Sequence, residues 1–378
     1  MSVSRRGFLQ GLRGGRTTQL SGVAMAAGTR DIYINRNENP LGPGKAAIEA
    51  LLGKFPEANR YSFNGTPRDA DLAILIASQN GGKQENVLLG VGSQELLRNA
   101  VRAWMSPTKH LAEVSPTYGN CSGQARQENF PIKSVPVDAR LNSDLQALLP
   151  IARGAGLVYI SNPNNPTATI VGAKALADFV ADVRKTSPAS VILIDEAYHD
   201  YVTDPSYHSA IPLALSTPNV LVARTFSKAY GMAGVRIGYA IGMADTIRPL
   251  ARYRMPNNVN TFGVAAAIAS LKDPQHIKDE SARNQQVRAF TVKALADLGY
   301  KSTESQGNFI FTAIGRTMTA AAFRDACAKQ GVMVGRDFPP MEKQWARISI
   351  GTMDEMQKAT DVFRNVLQPA KTTAGGKR

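Results

Sequence analysis

The chain is predicted to be an α/β protein, with a large domain built on a mainly parallel sheet and a smaller α+β domain. The first observation behind this prediction is that short apolar runs of strand type alternate with helical patterns from about residue 87 to residue 271. The second is that polar or glycine-rich turns follow several of these runs, where open α/β sheets bind ligands. Past about residue 275 a long polar helix, a strand, a second helix and a second strand indicate the smaller domain.

The predicted elements of the large domain, residues 60–275, occur in a regular order. Strands are predicted at residues 87–89, 111–114, 157–160, 191–194, 220–223 and 235–241. Helical periodicity is present at residues 96–104, 173–184 and 261–271. In the smaller domain, strands are predicted at residues 308–312 and 346–350, with a helix at residues 320–329 between them.

The segment from Thr225 to Arg236, with the sequence TFSKAYGMAGVR, carries the strongest chemical signal. Lys228 follows a buried apolar run, and poor solvation there lowers its pKa. A lysine that is neutral part of the time can form an imine with an aldehyde. The hydroxyls of Thr225 and Ser227 and the planar donor fork of Arg236 suit a phosphate. Aldehyde and phosphate together indicate pyridoxal phosphate, whereas the alternative is a solvated loop lysine followed by a surface arginine.

Two further strand ends supply polar groups that this cofactor needs. Asp195 ends the apolar run VILID and is predicted to keep the pyridine nitrogen protonated. Tyr198 is predicted to hydrogen-bond the ring oxygen, and so is Asn165, which two prolines fix in the turn SNPNNPT. As isolated features, such an aspartate can be a helix cap and Asn-Pro repeats can be simple turns.

The first predicted strand leads into the glycine turn GVGSQE and then a helix. Backbone N–H groups at such a helix start suit a phosphate, with Ser93 and Gln94 beside them. The turn lacks the third glycine of a dinucleotide fingerprint. Tyr118 follows another short strand and offers an aromatic face for stacking on the cofactor ring.

The order of these motifs resembles that of fold-type-I, pyridoxal-phosphate-dependent aminotransferases of class I/II, and most closely that of histidinol-phosphate aminotransferases. The matching motifs are NENPLGP from Asn37, RY from Arg60, GVGSQE from Gly90, PTY from Pro116, NPNNPT from Asn162, DEAY from Asp195, TFSK from Thr225, GNFI from Gly307 and RISIGT from Arg347. They span roughly residues 31–368. The resemblance implies the PLP-transferase fold of type I, with residues 31–59 joining residues 276–368 in the smaller domain.

The resemblance also implies an activity and an assembly. Lys228 is expected to hold the cofactor and to move a proton during transamination, assisted by Asp195 and Tyr198. The expected substrates are a small amino donor, either histidinol phosphate or a related amino acid, and a 2-oxo acid such as 2-oxoglutarate. Tyr61 is expected to reach the cofactor phosphate from a second subunit, which implies a homodimer.

Substrate-binding residues are implied by the resemblance as well. Arg347 is expected to bind a substrate carboxylate, helped by Asn308. Arg336 lies where histidinol-phosphate aminotransferases carry an arginine for the substrate phosphate, but here it opens the sequence RDFPPM. Leu41 stands where those enzymes often have an aromatic residue. These departures leave an aromatic or other amino-acid aminotransferase open as an alternative, and also a lyase similar to threonine-phosphate decarboxylases.

Composition excludes several other classes of protein. The net charge of +14 raises nucleic-acid binding, but the 44 lysines and arginines are spread along the chain and form no dense basic block. A diffuse positive surface suits anionic substrates better. Two cysteines and four scattered histidines predict neither a disulfide framework nor a metal site. No apolar run approaches the roughly 18 residues of a membrane span.

The N-terminal sequence SRRGFLQ resembles a twin-arginine export signal, and the AMA at residues 24–26 suits a cleavage site. Residues 1–30 are therefore predicted to be a leader. Arg13 and Arg16 interrupt the apolar core that such a signal needs, so a cytoplasmic enzyme with a basic leader stays open beside periplasmic export. The Gly-, Thr- and Lys-rich residues 369–378 are predicted to form a disordered tail.

Overall fold

A seven-stranded sheet lies at the centre of residues 31–62 and 68–368, the part of the chain that the computed structural model describes. The predicted leader at residues 1–30 and the predicted tail at residues 369–378 lie outside these described residues. The strands of the described part are β1 (Ile32–Ile34), β2 (Val87–Gly90), β3 (Leu111–Ser115), β4 (Ile132–Pro136), β5 (Leu157–Ser161), β6 (Val191–Asp195), β7 (Val220–Thr225), β8 (Gly238–Gly242), β9 (Phe309–Ala313), β10 (Val332–Val334) and β11 (Trp345–Ser349).

The described part also contains twelve α-helices, most of which follow a strand. They are α1 (Lys45–Gly53), α2 (Asp69–Gln79), α3 (Gly92–Trp104), α4 (Asn120–Gln127), α5 (Leu145–Ala152), α6 (Ala173–Thr186), α7 (Ile211–Ser216), α8 (Ala244–Ala251), α9 (Thr261–Leu271), α10 (Pro274–Asp297), α11 (Ala320–Ala328) and α12 (Met353–Leu367). Polar side chains fix several starts: Asn260 accepts from the Gly263 N–H at α9, and Thr352 and Glu355 form a reciprocal capping box at α12.

The strand order of the large sheet is β2-β8-β7-β6-β5-β3-β4, and β8 runs antiparallel to both of its neighbours. The other six strands share one direction, so their carboxyl ends meet at one edge. This confirms the α/β class and the mainly parallel sheet. The strand predicted at residues 235–241 was placed too early: Val235 closes a turn on Met232 and Arg236 has a φ of 65°, so β8 begins at Gly238. Sequence patterns also missed β1, β4 and β10.

Apolar side chains cover both faces of the large sheet, which explains why β5 and β6 are uninterrupted hydrophobic runs. A second buried cluster is formed by β1, β9, β10 and β11 with α10, α11 and α12, and its members include Ile34, Ile310, Phe323, Ile348 and Phe363. The short strand β1 pairs in parallel with β10, which brings residues 32–34 into that cluster. The exact domain boundaries at residues 60 and 275 stay a prediction.

Candidate active site

A cavity of about 850 Å³ opens at the sheet edge where the parallel strands end. The structure brings twelve of the predicted site residues together around it: Ser93, Gln94, Tyr118, Asn165, Asp195, Tyr198, Thr225, Ser227, Lys228, Arg236, Arg336 and Arg347. They come from seven separate stretches of the sequence. The sheet collects five of these stretches because β2, β3, β5, β6 and β7 point the same way, whereas Arg336 and Arg347 come from the region of β10 and β11.

Lys228 lies in the turn after β7, with its amine directed into the cavity. Its Nζ donates to the carbonyl oxygen of Arg36 at 3.0 Å and lies 5.7 Å from the ring centre of Tyr198. Desolvation, followed by the nearby charge of Arg347, lowers the pKa of Lys228 to about 8. Roughly a tenth of an amine with this pKa is neutral at pH 7, far more than of an ordinary lysine, and the neutral form is the nucleophile and proton acceptor.

Asp195 is the last residue of β6 and is 2% exposed. Its Oδ2 accepts from the hydroxyl of Tyr159 at 3.0 Å, and its Oδ1 accepts from the backbone N–H of Ala197 at 3.2 Å. Desolvation raises the pKa of Asp195 to about 6, while these hydrogen bonds and the charge of Lys228 act in the opposite direction. Asp195 therefore presents to the cavity a carboxyl group with a pKa only slightly below neutral pH.

The hydroxyl of Tyr198 is held by two amide donors. Asn37 Nδ2 donates to it at 3.0 Å and Asn165 Nδ2 donates to it at 3.2 Å. Because both contacts use lone pairs of the hydroxyl oxygen, its own proton is left for an acceptor in the cavity. The geometry thus suits hydrogen bonding to an oxygen on a bound ring.

At the other end of the cavity, a hydroxyl and two backbone carbonyl groups hold the guanidinium of Arg236. Arg236 Nη1 donates to Ala233 O at 2.7 Å and to Ser227 Oγ at 3.4 Å, and Nη2 donates to Val91 O at 3.3 Å. The hydroxyl of Thr225 donates to Ser227 Oγ at 2.9 Å. With the N-terminus of α3 alongside, this is a donor set for a phosphate.

Tyr118 is half-buried and its hydroxyl accepts from Gln94 Nε2 at 2.7 Å. This contact joins the turn after β3 to the start of α3. It fixes the aromatic ring at the cavity wall, where the sequence predicted a stacking face.

The third group of polar side chains is cationic. Arg347 on β11 is buried: Nη1 donates to Asn165 Oδ1 at 2.9 Å and Nη2 donates to Asn35 O at 2.6 Å. Burial, together with the charge of Arg336, lowers the pKa of Arg347 to about 10. The two guanidinium carbons lie 4.9 Å (Arg347) and 4.2 Å (Arg336) from the ring centre of Phe338.

Three predicted residues are not among those that line the cavity. Tyr61 is 65% exposed and Leu41 is 62% exposed. Asn308 is buried and its Nδ2 donates to the carbonyl oxygens of Asn37 and Glu38, at 3.1 and 3.4 Å. This amide supports the backbone near the cavity, and contact of Asn308 or Leu41 with substrate stays a prediction.

Sequence reasoning missed three contributions to the site. The segment Asn35 to Glu38 borders the cavity, and it contacts Lys228, Tyr198 and Arg347 through the bonds given above. The motif NENPLGP was recognised, but Leu41 was the only residue in it that was given a role. The cavity wall also includes Arg324, which pairs with Asp337 at 2.7 Å. Tyr159 lies in the apolar strand β5, where it looks like a core residue. Only the register of β5 against β6 shows that its hydroxyl contacts Asp195.

The residues present fit pyridoxal phosphate. At the phosphate end, a Cβ on Gly92 would lie 2.3 Å from Arg236 Nη2, so only glycine leaves this guanidinium in place. Asp195 provides a carboxylate for a pyridinium, and Lys228 provides the amine for an aldehyde. Within the described residues, Arg347 Nε is buried without a hydrogen-bond partner, so this guanidinium keeps an unsatisfied donor.

The described part of the chain lacks two other kinds of feature. None of its helices has the length and apolar character that a membrane crossing requires. It also contains no group of three or more His, Cys, Asp or Glu side chains placed to hold a metal ion.

Comparison with known proteins agrees with this geometry. A family model described as aminotransferase class I and II matches residues 31–363. The histidinol-phosphate aminotransferase of Moorella thermoacetica is 33% identical over 354 residues, which cover 91% of this chain and 88% of that protein. Histidinol-phosphate aminotransferase 1 of Cupriavidus pinatubonensis is 35% identical over 329 residues, covering 86% of this chain and 85% of that protein.

A solved structure is similar over the same length. The histidinol-phosphate aminotransferase of Sinorhizobium meliloti, in complex with pyridoxal-5'-phosphate, matches with a TM-score of 0.80 and 26% identity, covering 89% of this chain and 91% of that one. The family match, the relatives and the cavity together leave one conclusion. The chain belongs to the class I and II aminotransferase family and is a pyridoxal-phosphate-dependent transaminase of fold type I.

Proposed function

We propose that this transaminase takes histidinol phosphate as its amino donor and a 2-oxo acid such as 2-oxoglutarate as its acceptor. The relatives described above bear that name. The observation in this chain that carries the proposal is the pair of guanidinium groups, from Arg336 and Arg347, packed on the ring of Phe338.

Within residues 31–62 and 68–368, neither Arg336 nor Arg347 forms an ion pair. A buried cation without a counter-charge is unfavourable, and Arg347 is 6% exposed. A ligand that carries negative charge to this end of the cavity therefore gains more binding energy than a neutral one.

The number of arginines favours a phosphate over a carboxylate. An α-carboxylate carries one negative charge and is satisfied by one guanidinium fork, which Arg347 alone could provide. A phosphate carries close to two charges and three acceptor oxygens, and two guanidinium groups match it. Histidinol phosphate has a phosphate and no α-carboxylate, so its anionic end would contact Arg336 and Arg347 together.

The same proposal assigns roles around the cofactor. When bound, pyridoxal phosphate supplies an aldehyde that bonds the donor's amino group and a pyridinium ring that accepts electrons from the adjoining carbon. Lys228 Nζ holds the resting cofactor and then takes the proton from the amino-bearing carbon of the donor. Asp195 keeps the ring nitrogen protonated. Tyr118 stacks on the ring.

Two groups of side chains hold the cofactor in place. The Tyr198 hydroxyl donates a hydrogen bond to the ring oxygen. Asn165 either donates a hydrogen bond to the same oxygen or orients the Tyr198 hydroxyl. The phosphate is bound by a donor set formed by Ser93, Gln94, Thr225, Ser227 and Arg236. The segment of residues 35–38 contacts Lys228 through the carbonyl oxygen of Arg36 and so positions its amine.

We also propose that the working unit is a homodimer. By resemblance, Tyr61 would reach the cofactor phosphate of a second subunit. In this chain Tyr61 is 65% exposed and does not border the described cavity of its own subunit. Both features are compatible with a contact to a second copy.

Substrate comparison in a single variant tests the choice of donor. Arg336→Ala should raise the KM for histidinol phosphate by about 10–150-fold, because a charge-assisted bond to phosphate contributes roughly 1.5–3 kcal/mol. The KM for histidinol, which lacks the phosphate, should change little. Steady-state rates with 2-oxoglutarate as acceptor give both values.

Arg316→Ala is the matched control. Arg316 also stacks on an aromatic ring, with its guanidinium carbon 4.0 Å from the ring centre of Tyr300, and it is not among the residues that border the cavity. It should leave both KM values unchanged. Unaltered histidinol-phosphate kinetics in Arg336→Ala would remove the phosphate donor and favour an amino-acid donor bound by Arg347, with the family assignment intact.

A further inference from the structure

Beneath the cavity, the side chain of Tyr159 contacts the cofactor site through Asp195. Tyr159 is 0% exposed, it is not among the residues that border the cavity, and its hydroxyl donates to Asp195 Oδ2 at 3.0 Å. The other carboxylate oxygen accepts from a backbone N–H, that of Ala197. Tyr159 is thus a hydrogen-bond donor held behind the carboxylate, on the side away from the cavity.

The strand register places this donor. β5 and β6 are parallel, and Tyr159 pairs with Leu193, two residues before Asp195. Residues two apart on a strand share a face, so Tyr159 and Asp195 lie diagonally on one face of the sheet. A long aromatic side chain can span that diagonal. A phenylalanine at this position would fill the same space but could not donate.

We propose that Tyr159 is a positioning residue of this transaminase, whose hydroxyl keeps the Asp195 carboxylate ionised and thereby sets the lowest pH at which pyridoxal phosphate is retained. The inference rests on the proposed contact of Asp195 with the ring nitrogen. A protonated Asp195 would have no charge with which to hold a pyridinium, so cofactor retention should fall as that carboxylate titrates.

The electrostatic surroundings of Asp195 give the hydroxyl its importance. Burial raises the pKa of Asp195 to about 6, and the Tyr159 hydrogen bond is the foremost of the contacts that lower it. The other titratable side chains that act on Asp195 from neighbouring elements are Lys228, Glu196, Tyr118, Tyr198 and Cys121.

Glu113 requires separate treatment because it lies next to Tyr159. It pairs with Tyr159 in the β3–β5 register, and burial raises its pKa to about 7. Its titration therefore falls near the range in which Asp195 is expected to respond. A test of Tyr159 must distinguish the two carboxyl groups.

The experiment follows the release of pyridoxal phosphate from the holoenzyme after dilution, between about pH 5 and pH 9. In Tyr159→Phe the midpoint of acid-promoted release should move up by about one pH unit, which corresponds to a tenfold change in the ionisation constant of one carboxyl. At the alkaline end the variant and the parent should release the cofactor at similar rates, because Asp195 is ionised in both.

Tyr201→Phe is the matched control for the loss of a buried tyrosine hydroxyl. Tyr201 is 1% exposed, donates to the buried carboxylate of Glu280 at 3.1 Å and is not among the residues that border the cavity. Its removal should leave the midpoint unchanged. In an Asp195→Asn background, Tyr159→Phe should no longer move the midpoint, since the titrating carboxyl is gone.

Two outcomes would overturn the proposal. Release that is faster by the same factor at every pH in Tyr159→Phe would show that the hydroxyl contributes only to packing. A midpoint that moves in Glu113→Gln and not in Tyr159→Phe would assign the pH dependence to Glu113. A failure of the proposed contact of Asp195 itself is distinguishable, because Asp195→Asn would then retain the parent's pH dependence.

Discussion

Replacing Gly92 by alanine tests the phosphate site with little other disturbance. Gly92 opens α3 with a φ of 69°, and a Cβ at this position would lie 2.3 Å from Arg236 Nη2. That atom is the far end of a flexible side chain, so the guanidinium can move aside while the backbone stays in place. The guanidinium would then leave its contacts with Val91 and Ser227.

The magnitude follows from the bond that is lost. If Arg236 binds the cofactor phosphate, its displacement removes a charge-assisted hydrogen bond of about 1.5–3 kcal/mol, and the Kd for pyridoxal phosphate should rise roughly 10–150-fold. A second effect is backbone strain, because alanine in the left-handed region costs about 1–2 kcal/mol. The strain lowers the free energy of unfolding without acting on the cofactor directly.

Gly81→Ala separates the two effects. Gly81 has nearly the same conformation, with a φ of 73°, and a Cβ there meets nothing within 4 Å. Urea denaturation of the apoenzymes should give similar losses of stability for the two variants. Fluorescence titration with pyridoxal phosphate should give a raised Kd for Gly92→Ala and a normal Kd for Gly81→Ala. Equal Kd values in the two variants would refute the assignment of Arg236 to the phosphate.

The remaining predictions concern Lys228 and Tyr61. Borohydride reduction of the holoenzyme followed by peptide mapping should find the cofactor on Lys228, and labelling of another lysine would contradict the mechanism. The pKa of Lys228 falls from 10.5 to about 8 on folding, so the unfolded chain binds more protons than the folded one between these pH values. The free energy of unfolding of the apoenzyme, relative to that of Lys228→Met, should therefore increase as the pH rises from about 8 to 10.5. The native mass by light scattering should be twice that of one chain. Tyr61→Phe should keep that mass and weaken pyridoxal-phosphate binding about 10-fold or more. A monomer that binds the cofactor with full affinity would exclude a site shared between subunits.

Residues at strand ends could be predicted from the sequence because their surroundings are local. An apolar run fixes a strand, the parallel sheet fixes its direction, and the residue after it must lie at the common edge. Asp195, Lys228 and the Asn165 turn follow this logic, and the structure places all three around the cavity. Strand limits were less certain, as the late start of β8 at Gly238 demonstrates, because one residue with positive φ is invisible in a hydrophobic pattern.

Contacts between distant segments could not be predicted in this way. Asn37 bonds Tyr198, 161 positions away, and Ser349, 312 positions away. Nothing local to Asn37 indicates either partner. Tyr159 was missed for a different reason: in an apolar run a tyrosine reads as one more core residue, and only the register of β5 against β6 identifies the partner of its hydroxyl. Leu41 and Asn308 were assigned to the substrate site by resemblance alone. A resemblance aligns positions in two sequences, but it does not predict which side chains are in contact.

These long-range bonds link the cofactor side of the cavity to its anion-binding side. Arg347 Nη1 donates to Asn165 Oδ1, Asn165 Nδ2 donates to the Tyr198 hydroxyl, and Asn37 Nδ2 donates to the same hydroxyl. Ser349 Oγ donates to Asn37 Oδ1 at 2.7 Å, and β11 connects Ser349 back to Arg347.

The result is a chain of four hydrogen bonds that the backbone of β11 closes into a ring, so a substitution at Arg347 also frees the amide that orients Tyr198. Loss of activity in Arg347→Ala would therefore combine a weakened substrate contact with a disturbed cofactor contact. Arg336 stands outside that ring, with its Nη1 on the carbonyl oxygen of Asp337 at 3.1 Å. For this reason Arg336, and not Arg347, is the arginine whose replacement can identify the donor.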